Sequence, residues 1–453
     1  MVNTLFLPEL REMLADNNVS ELQEFCEALH PARAADFMDG LTADEAWRVL
    51  THASLDRRVE IFGYFELPKQ VEIVESEERS QIAELISQLA PDDRVDLLHE
   101  VNPTVVEELL PLLPSEARRD ILHLRSYAEG TAGAMMTTNV AMLPETLTVR
   151  EALDQLQHIA EGLETIYYLY IVNEANHLRG LVSARQLLSS IGRPQTPLSE
   201  IMETGLVTAE VDDDQEEVAE KVARYDLLAI PVVDAERTLL GIITYDDIID
   251  VLHEEAVEDA HRSAAVAPLE DTYFETDVVT MAWKRGLWLT ILFVGALATA
   301  FSLRYYDRHL DQWQWLVLFL PLVVSCGGNT GNQSATLIIT GLTRRDIRPK
   351  DWLRVMRREL VMGLILGLFL GMCGLVTATA VCSETRTTHA MWVLPLTVMI
   401  VVVTGSLVGS LLPLAFSGVG LDPALMSNPF VAGIIDIVGI VIYLNVAWVF
   451  LAN

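Results

Sequence analysis

The sequence predicts a multidomain membrane protein with an all-α superhelical N-terminal domain, a tandem α/β pair, a connecting helix and a five-helix transmembrane domain. Three observations carry this expectation. The charge is unevenly divided, with 56 acids against 19 bases in residues 1–278 and 8 against 12 in residues 279–453. The second half holds five long apolar stretches, and about 20 apolar residues suffice to cross roughly 30 Å of hydrocarbon. Within the acidic half, one segment repeats itself at an offset of 61 residues. So acidic a region repels nucleic acid and anionic lipid and attracts cations.

The N-terminus, MVNTLFLPEL, lacks a basic region followed by an apolar core and a cleavage site, so no signal peptide is expected. Residues 1–130 are assigned to a helical domain. Its units "APDDRVDLL", "NPTVVEELL" and "LPSEARRDIL" follow one another at 11 to 12 residues. Each opens with helix-start chemistry and acids in the first turn. Stacked helix pairs of this kind make an interaction domain.

Residues 131–252 carry the duplication, in copies at about 135–195 and 198–252. "LYIVNEANHLRGLVSARQLL" and "AIPVVDAERTLLGIITYDDII" align so that Gly180 falls on Gly241 and Ser183 on Thr244. Each copy reads as strand, turn, glycine, second strand and helix. The pair resembles tandem CBS domains, and the resemblance implies a cleft that takes adenine nucleotides such as ATP. It places Thr244 and Asp247 at the positions that hydrogen-bond phosphate and ribose, whereas the first copy has Gln186 in place of the Asp. One nucleotide site is expected, with a pair that binds no nucleotide as the alternative.

Residues 246–280 are expected to form an acidic connecting helix. In "YDDIIDVLHEEAVEDAHR" the acids Asp247, Asp250, Glu254, Glu255, Glu258 and Asp259 recur at three- and four-residue spacing, and like charges so placed destabilise a helix. Either the face is simply solvated, or its carboxylates share divalent cations with Asp92, Asp93 and Asp96, or with Asp214, Glu216 and Asp226.

The transmembrane domain, residues 281–453, contains spans at 286–303, 313–342, 360–382, 390–419 and 426–452, and Asp436 is the one charge inside them. The connection at 343–359 holds seven basic residues and Lys284 with Arg285 precede the first span, so both are expected on the cytoplasmic side. That orientation puts the N-terminus inside and the C-terminus outside. Cys26, Cys326, Cys373 and Cys382 form no CxxC pair and three lie in spans, which argues against disulfides and zinc.

Two features of the spans carry chemistry. "SCGGNTGNQSAT" (residues 325–336) packs amides and glycines where hydrocarbon wants leucine, and Asn329, Asn332 and Gln333 exceed what helix packing needs. They are expected to support a polar pathway. "GLILGLFLGMCG" and "GSLVG" read instead as helix-packing faces, and suggest oligomerisation. In the last span, Asn428 is placed to cap a helix opening at Pro429, and Asn428, Ala432 and Asp436 form one stripe. An isolated Asp costs at least about 2.5 kcal/mol to insert and usually marks an ion route, a structural hydrogen bond being the alternative. Two chains on a two-fold axis would face their Asp436 residues together. Mg²⁺, which sheds water reluctantly and is held by few carboxylates, suits such a site.

"PLVVSCGGNTGNQSATLI" and "LDPALMSNPFVAGIIDIVGIVIYLNVA" resemble the signature segments of the MgtE family of magnesium transporters, and the domain order matches from about residue 30 to the end. The resemblance implies a homodimeric, Mg²⁺-selective, channel-like importer of the bacterial inner membrane, with passage of Co²⁺ or Mn²⁺ left open. It places Asp436, Asn428 and the Ala432 carbonyl at the pore ion. It implies regulatory Mg²⁺ among Asp92, Asp93, Asp96, Asp214, Glu216, Asp226, Asp247, Asp250, Glu255, Glu258 and Asp259, closing the pore when the cytosol is replete. Gln186 and His253 depart from the family pattern. The competing readings are a CBS-regulated channel or transporter for another ion and a membrane-anchored nucleotide sensor. No grouping for an enzyme is found.

Overall fold

The computed structural model describes residues 6–269, 273–274, 276–306, 313–381 and 390–451, apart from the side chains of residues 161, 381 and 424. Cys382, the connections at 307–312 and 383–389, and Ala452 at the end of the fifth expected span lie outside the described residues. The chain divides into two compact units, Met1–Leu252 and His253–Asn453.

The first unit opens with ten helices: α1 (Leu7–Ala15), α2 (Val19–Ala28), α3 (Pro31–Met38), α4 (Ala43–Leu50), α5 (Leu55–Gly63), α6 (Leu67–Ser76), α7 (Arg79–Gln88), α8 (Pro91–Glu100), α9 (Pro103–Leu109) and α10 (Ser115–Leu124). Proline opens α8 and α9, where its missing N–H is no loss. Alternate helices pack on each other, α4 on α6, α5 on α7, α7 on α9 and α8 on α10, which is the superhelical arrangement. The free carbonyls at each helix end are met by the following helix. Arg58 donates to Leu50, Thr51 and Ala53, Gln70 to Phe62 and Phe65, and Arg94 to Ile86, Ser87 and Leu89, all at 2.7–3.4 Å. These donors, of which Arg94 is buried, take the place of the glycine caps that such short helices otherwise need.

The α/β pair follows. Its first sheet is β1 (Met142–Pro144), β2 (Tyr168–Val172) and β3 (Leu178–Ser183), and its second is β4 (Ala209–Glu210), β5 (Ala229–Val233) and β6 (Leu239–Thr244). In each, the first strand is parallel and the last antiparallel to the middle one. The 61-residue offset survives in detail, since Ile171 pairs with Gly180 as Val232 pairs with Gly241. Both glycines are required by close approach: a Cβ on Gly180 would stand 2.7 Å from the Glu203 carbonyl, and one on Gly241 2.5 Å from that of Thr137. The two copies meet at a bridge between the equivalent residues His177 and Thr238. The remaining helices of the pair are α11 (Ala132–Met135), α12 (Val149–Ile159), α13 (Ala184–Ser189), α14 (Leu198–Ile201) and α15 (Gln215–Tyr225).

Helix α16 (Tyr245–Ser263) supplies the connecting element and is shorter than the expected 246–280. It stops because Ala265 takes a left-handed φ of 59° and Pro268 follows shortly after.

The second unit contains five long helices, α17 (Val278–Tyr305), α18 (Leu320–Thr343), α19 (Trp352–Val381), α20 (Ala390–Gly418) and α21 (Asn428–Leu451). Four of them are long and apolar enough to cross a membrane by composition; α18 falls short because of its amide run. The two glycine-rich faces are consumed within the chain. Gly363, Gly367 and Gly371 of α19 lie against Val403, Met399 and Pro395 of α20, and Gly405 and Gly409 of α20 lie against the backbone of Gly327 and Gly331 in α18. They therefore serve the tight helix packing that the sequence suggested. Gly409→Ala should press a methyl onto the Gly331 carbonyl, costing about 1–3 kcal/mol. Thermal unfolding in detergent should show the loss, with Gly295→Ala, which meets open space, as the neutral control.

Candidate cation sites

In the membrane unit, α18 is divided into two faces by its sequence. Gly327, Gly331, Ala335 and Ile338 are buried against neighbouring helices, while Ser325, Asn329, Gln333 and Thr336 lie on the open face. Helix α21 lies along the boundary between them. A Cβ on Gly328 would stand 3.6 Å from Asp436 Oδ1 and 3.7 Å from the Ala432 methyl, so the polar helix passes directly beside the carboxylate. About two turns further along α18, Thr336 donates from Oγ1 to Asn428 Oδ1 at 3.2 Å. Asn428 thus does not cap its own helix as expected. Helix α21 begins one residue earlier, the Ser427 carbonyl accepts the first N–H bonds, and the Asn428 side chain is turned toward α18.

Asp436, Ala432 and Asn428 therefore share a stripe that Gly328 and Thr336 accompany. Asn329 donates to Ser325 within α18 at 3.2 Å, Asn332 keeps a buried Oδ1 without a partner, and Gln333 is exposed. Sequence reasoning missed Glu359. Placed in the basic connection by its neighbours, it belongs to α19, where its Oε2 accepts the Ser334 hydroxyl of α18 at 2.7 Å.

A second group of acids lies in the first unit. Asp92 and Asp93 come from the first turn of α8, Asp246, Asp247 and Asp250 from the start of α16, and Glu164 from the connection before β2. Asp247 accepts the Thr244 N–H at 3.1 Å and hydroxyl at 2.6 Å on one oxygen. Asp92 is only 7 % exposed, and its Oδ1 has no hydrogen-bond partner. Burial, followed by the charges of Asp247, Asp93 and Glu164, holds its carboxyl well above the usual range. Glu164 is pushed up to about 7 by desolvation and then by Asp247, Asp93 and Asp246. Asp247 is raised to about 6 by desolvation, against the opposing Thr244 bonds. Because Glu164 still reaches water, the enclosed Asp92 carries the greater electrostatic cost.

Of the other expected ligands, Asp214 caps α15 through the Glu216 N–H at 3.0 Å, and Asp226 ends that helix in a left-handed conformation, φ 52°. Asp96 lies one turn further along α8 on its exposed side. The charges that chiefly raise the Asp92 group come from its own members and their α16 neighbours.

A third group, in the second unit, joins Glu255, Glu258 and Asp259 of α16 to Asp422, which the sequence reading did not single out. Burial first, then Asp422 and Glu255, raise the Asp259 carboxyl. Arg262 pairs with Glu258 and donates to Asp422 at 2.6 Å. The available signal was that Asp422 is the one acid in the connection between α20 and α21.

The equivalent positions of the α/β copies have diverged. Gln186 accepts the Ser183 N–H and hydroxyl on Oε1, as Asp247 does for Thr244, but its Nε2 donates to Glu203 at 2.6 Å. Asp247 instead faces other acids, a poor setting for nucleotide phosphate and a good one for a hard cation. Among the described residues no three His, Cys, Asp or Glu side chains converge at direct-ligand spacing.

An apolar bundle with a carboxylate beside an amide-rich helix, joined to an acid-lined helical and α/β unit, defines a membrane transporter of cations. Family profiles match as MgtE intracellular N domain over residues 29–130, CBS domain over 132–193 and 198–254, and divalent cation transporter over 320–446. The magnesium transporter MgtE of Thermus thermophilus is 36 % identical over 445 residues, 97 % of each chain. That of Bacillus subtilis is 29 % identical over 439 residues, 97 % of this chain and 96 % of its own. The chain belongs to the MgtE family of magnesium transporters. A solved structure of the cytosolic domain of the Mg²⁺ channel MgtE in complex with ATP is similar at 34 % identity and a TM-score of 0.51, over 53 % of this chain and 98 % of that one.

Proposed function

We propose that this chain is a Mg²⁺ importer whose ion passes beside Asp436 and whose acids in the first unit and on α16 report the Mg²⁺ supply. The carrying observation is the approach of Gly328 to Asp436, which sets a carboxylate against a helix with an open amide face. Asn428 and the Ala432 carbonyl complete the stripe, while Asn329, Asn332 and Gln333 support it. The seven basic residues of 343–359 favour a cytoplasmic position for that connection, hence for the N-terminus, with the C-terminus outside.

For regulation, Asp92, Asp93, Asp247 and Asp250 repel while bare and draw together when Mg²⁺ neutralises them; Glu255, Glu258 and Asp259 act similarly beside Asp422. Asp96, Asp214, Glu216 and Asp226 belong to a wider acidic rim. A ligand that prefers the drawn-together state shifts the population toward it. A nucleotide at the CBS pair, including Thr244, is a second reading, favoured by the ATP complex of the relative. A homodimer is supported by matched apolar positions: Tyr167, Leu188 and Ile191 are exposed in the first copy, and Leu228, Ile249 and Leu252, each 61 residues on, in the second.

Uptake into proteoliposomes tests the reading. Mg²⁺ should enter when the protein's acidic side faces micromolar Mg²⁺ and should slow at least about tenfold at millimolar Mg²⁺. Uptake that ignores that concentration would remove the sensor role.

A further inference from the structure

The basic end of the membrane unit holds a feature that ion conduction does not use. Residues 344–359 contain seven bases against three acids, and all seven bases belong to the connection between α18 and α19 or to the first turns of α19. Between α18 and α19 opens a cavity of about 460 Å³. Arg354 and Arg358 line it, and their four-residue spacing puts them on one face of α19. Among the described residues neither guanidinium has an ion-pair or hydrogen-bond partner. Of the three acids in the cavity, Asp351 accepts the Arg348 N–H at 3.0 Å and Glu359 accepts the Ser334 hydroxyl at 2.7 Å, and each keeps its negative charge. The positive excess is that of the segment 344–359 as a whole, whose seven bases outnumber its three acids by four.

The rest of the wall is apolar, formed by Leu337, Ile338, Ile347 and Val355. Leu337 is 68 % exposed, and Leu360 and Val361 continue an exposed apolar surface up α19. Positive charge at the mouth and hydrocarbon alongside match one class of molecule. We propose that this cavity binds an anionic phospholipid, its headgroup phosphate between Arg354 and Arg358 and an acyl chain along Leu337. Arginine favours such phosphates through its planar fork of donors, and basic pockets between membrane helices suit anionic headgroups. A free phosphate would leave the apolar wall bare, and a zwitterionic lipid would bring a second cation to the arginines.

The test uses the full chain in detergent with short-chain phosphatidylglycerol, the matching phosphatidylcholine and inorganic phosphate. At saturation phosphatidylglycerol should raise Tm by about 3 °C or more, with little shift from the other two. Arg354→Gln with Arg358→Gln should weaken the phosphatidylglycerol effect at least about tenfold, since each basic residue near a headgroup contributes on the order of 1 kcal/mol. In wild type, a phosphatidylglycerol bearing a photoreactive headgroup should label residues 344–358. Equal shifts from phosphatidylcholine, an equal shift from phosphate alone, an unweakened double variant, or labelling confined to other segments would each overturn the proposal.

Discussion

Asp436→Ala is expected to abolish Mg²⁺ uptake while leaving the protein folded. The residue is the one acid in the interior of α21, it stands beside Gly328, and no cationic side chain accompanies it in that helix. Its charge acts on a divalent ion at short range: at about 5 Å and an effective dielectric near 20, the attraction is on the order of 6 kcal/mol. A water shell reduces this, yet losing even about 3 kcal/mol lowers site occupancy by more than a hundredfold. Asp436→Asn keeps the shape and loses the charge, so it should match Ala and separate electrostatics from packing. Tm should hold or rise, because an unpaired carboxylate in hydrocarbon costs stability. Unchanged uptake by either variant would take Asp436 out of the ion path.

The second large effect concerns the Asp92 group. Without divalent cations, Glu164 titrates at about 7 and Asp247 at about 6, both raised first by desolvation, and Asp92 is raised by the same cause. An acid whose pKa is raised in the packed arrangement binds more protons there than when solvated. Its contribution to that arrangement is thus fully present below the ordinary carboxylate pKa, about 4, and is lost as pH rises through about 6 to 7. In chelator, hydrogen exchange of α8 and residues 244–252, corrected for intrinsic rate, should slow as pH falls from 8 to 5.5. Millimolar Mg²⁺ at pH 8 should produce the same protection. Asp92→Asn with Asp247→Asn should protect these segments at pH 8 without cation, and should raise the Mg²⁺ midpoint for any further change at least about tenfold. A midpoint left where it was would exclude these two carboxylates as the sensing pair.

Local pattern made much of this architecture legible. Four of the five long helices of the second unit follow from hydropathy, and the duplicated sheets from a repeat that holds to the residue at Gly180 and Gly241; Asp436 draws notice by its isolation. The parts that were hidden depend on distant partners. Glu359 reads as the last residue of a basic connection, and its bond to Ser334 spans 25 positions. Asp422 lies 160 residues from Arg262, and nothing near either one announces the pair. Gly328 looks interchangeable with Gly327 and Gly331, but the helix rotation gives it the carboxylate and gives the others to packing. The connecting helix was overdrawn because acids at helical spacing say nothing about where a helix stops, a matter settled by Ala265 and Pro268.

The contrast between Gln186 and Asp247 has a consequence for how such a molecule can change over evolutionary time. Both side chains tie the start of a helix to the preceding strand with the same two bonds, so either amide or carboxylate satisfies the fold. The remaining terminal atom is then exempt from the folding requirement: it donates to Glu203 in one copy and confronts other carboxylates in the other. Having the motif twice leaves one copy free to drift while its twin keeps the carboxylate that the proposed ion sensing uses. Relatives should therefore vary more at the first position than at the second.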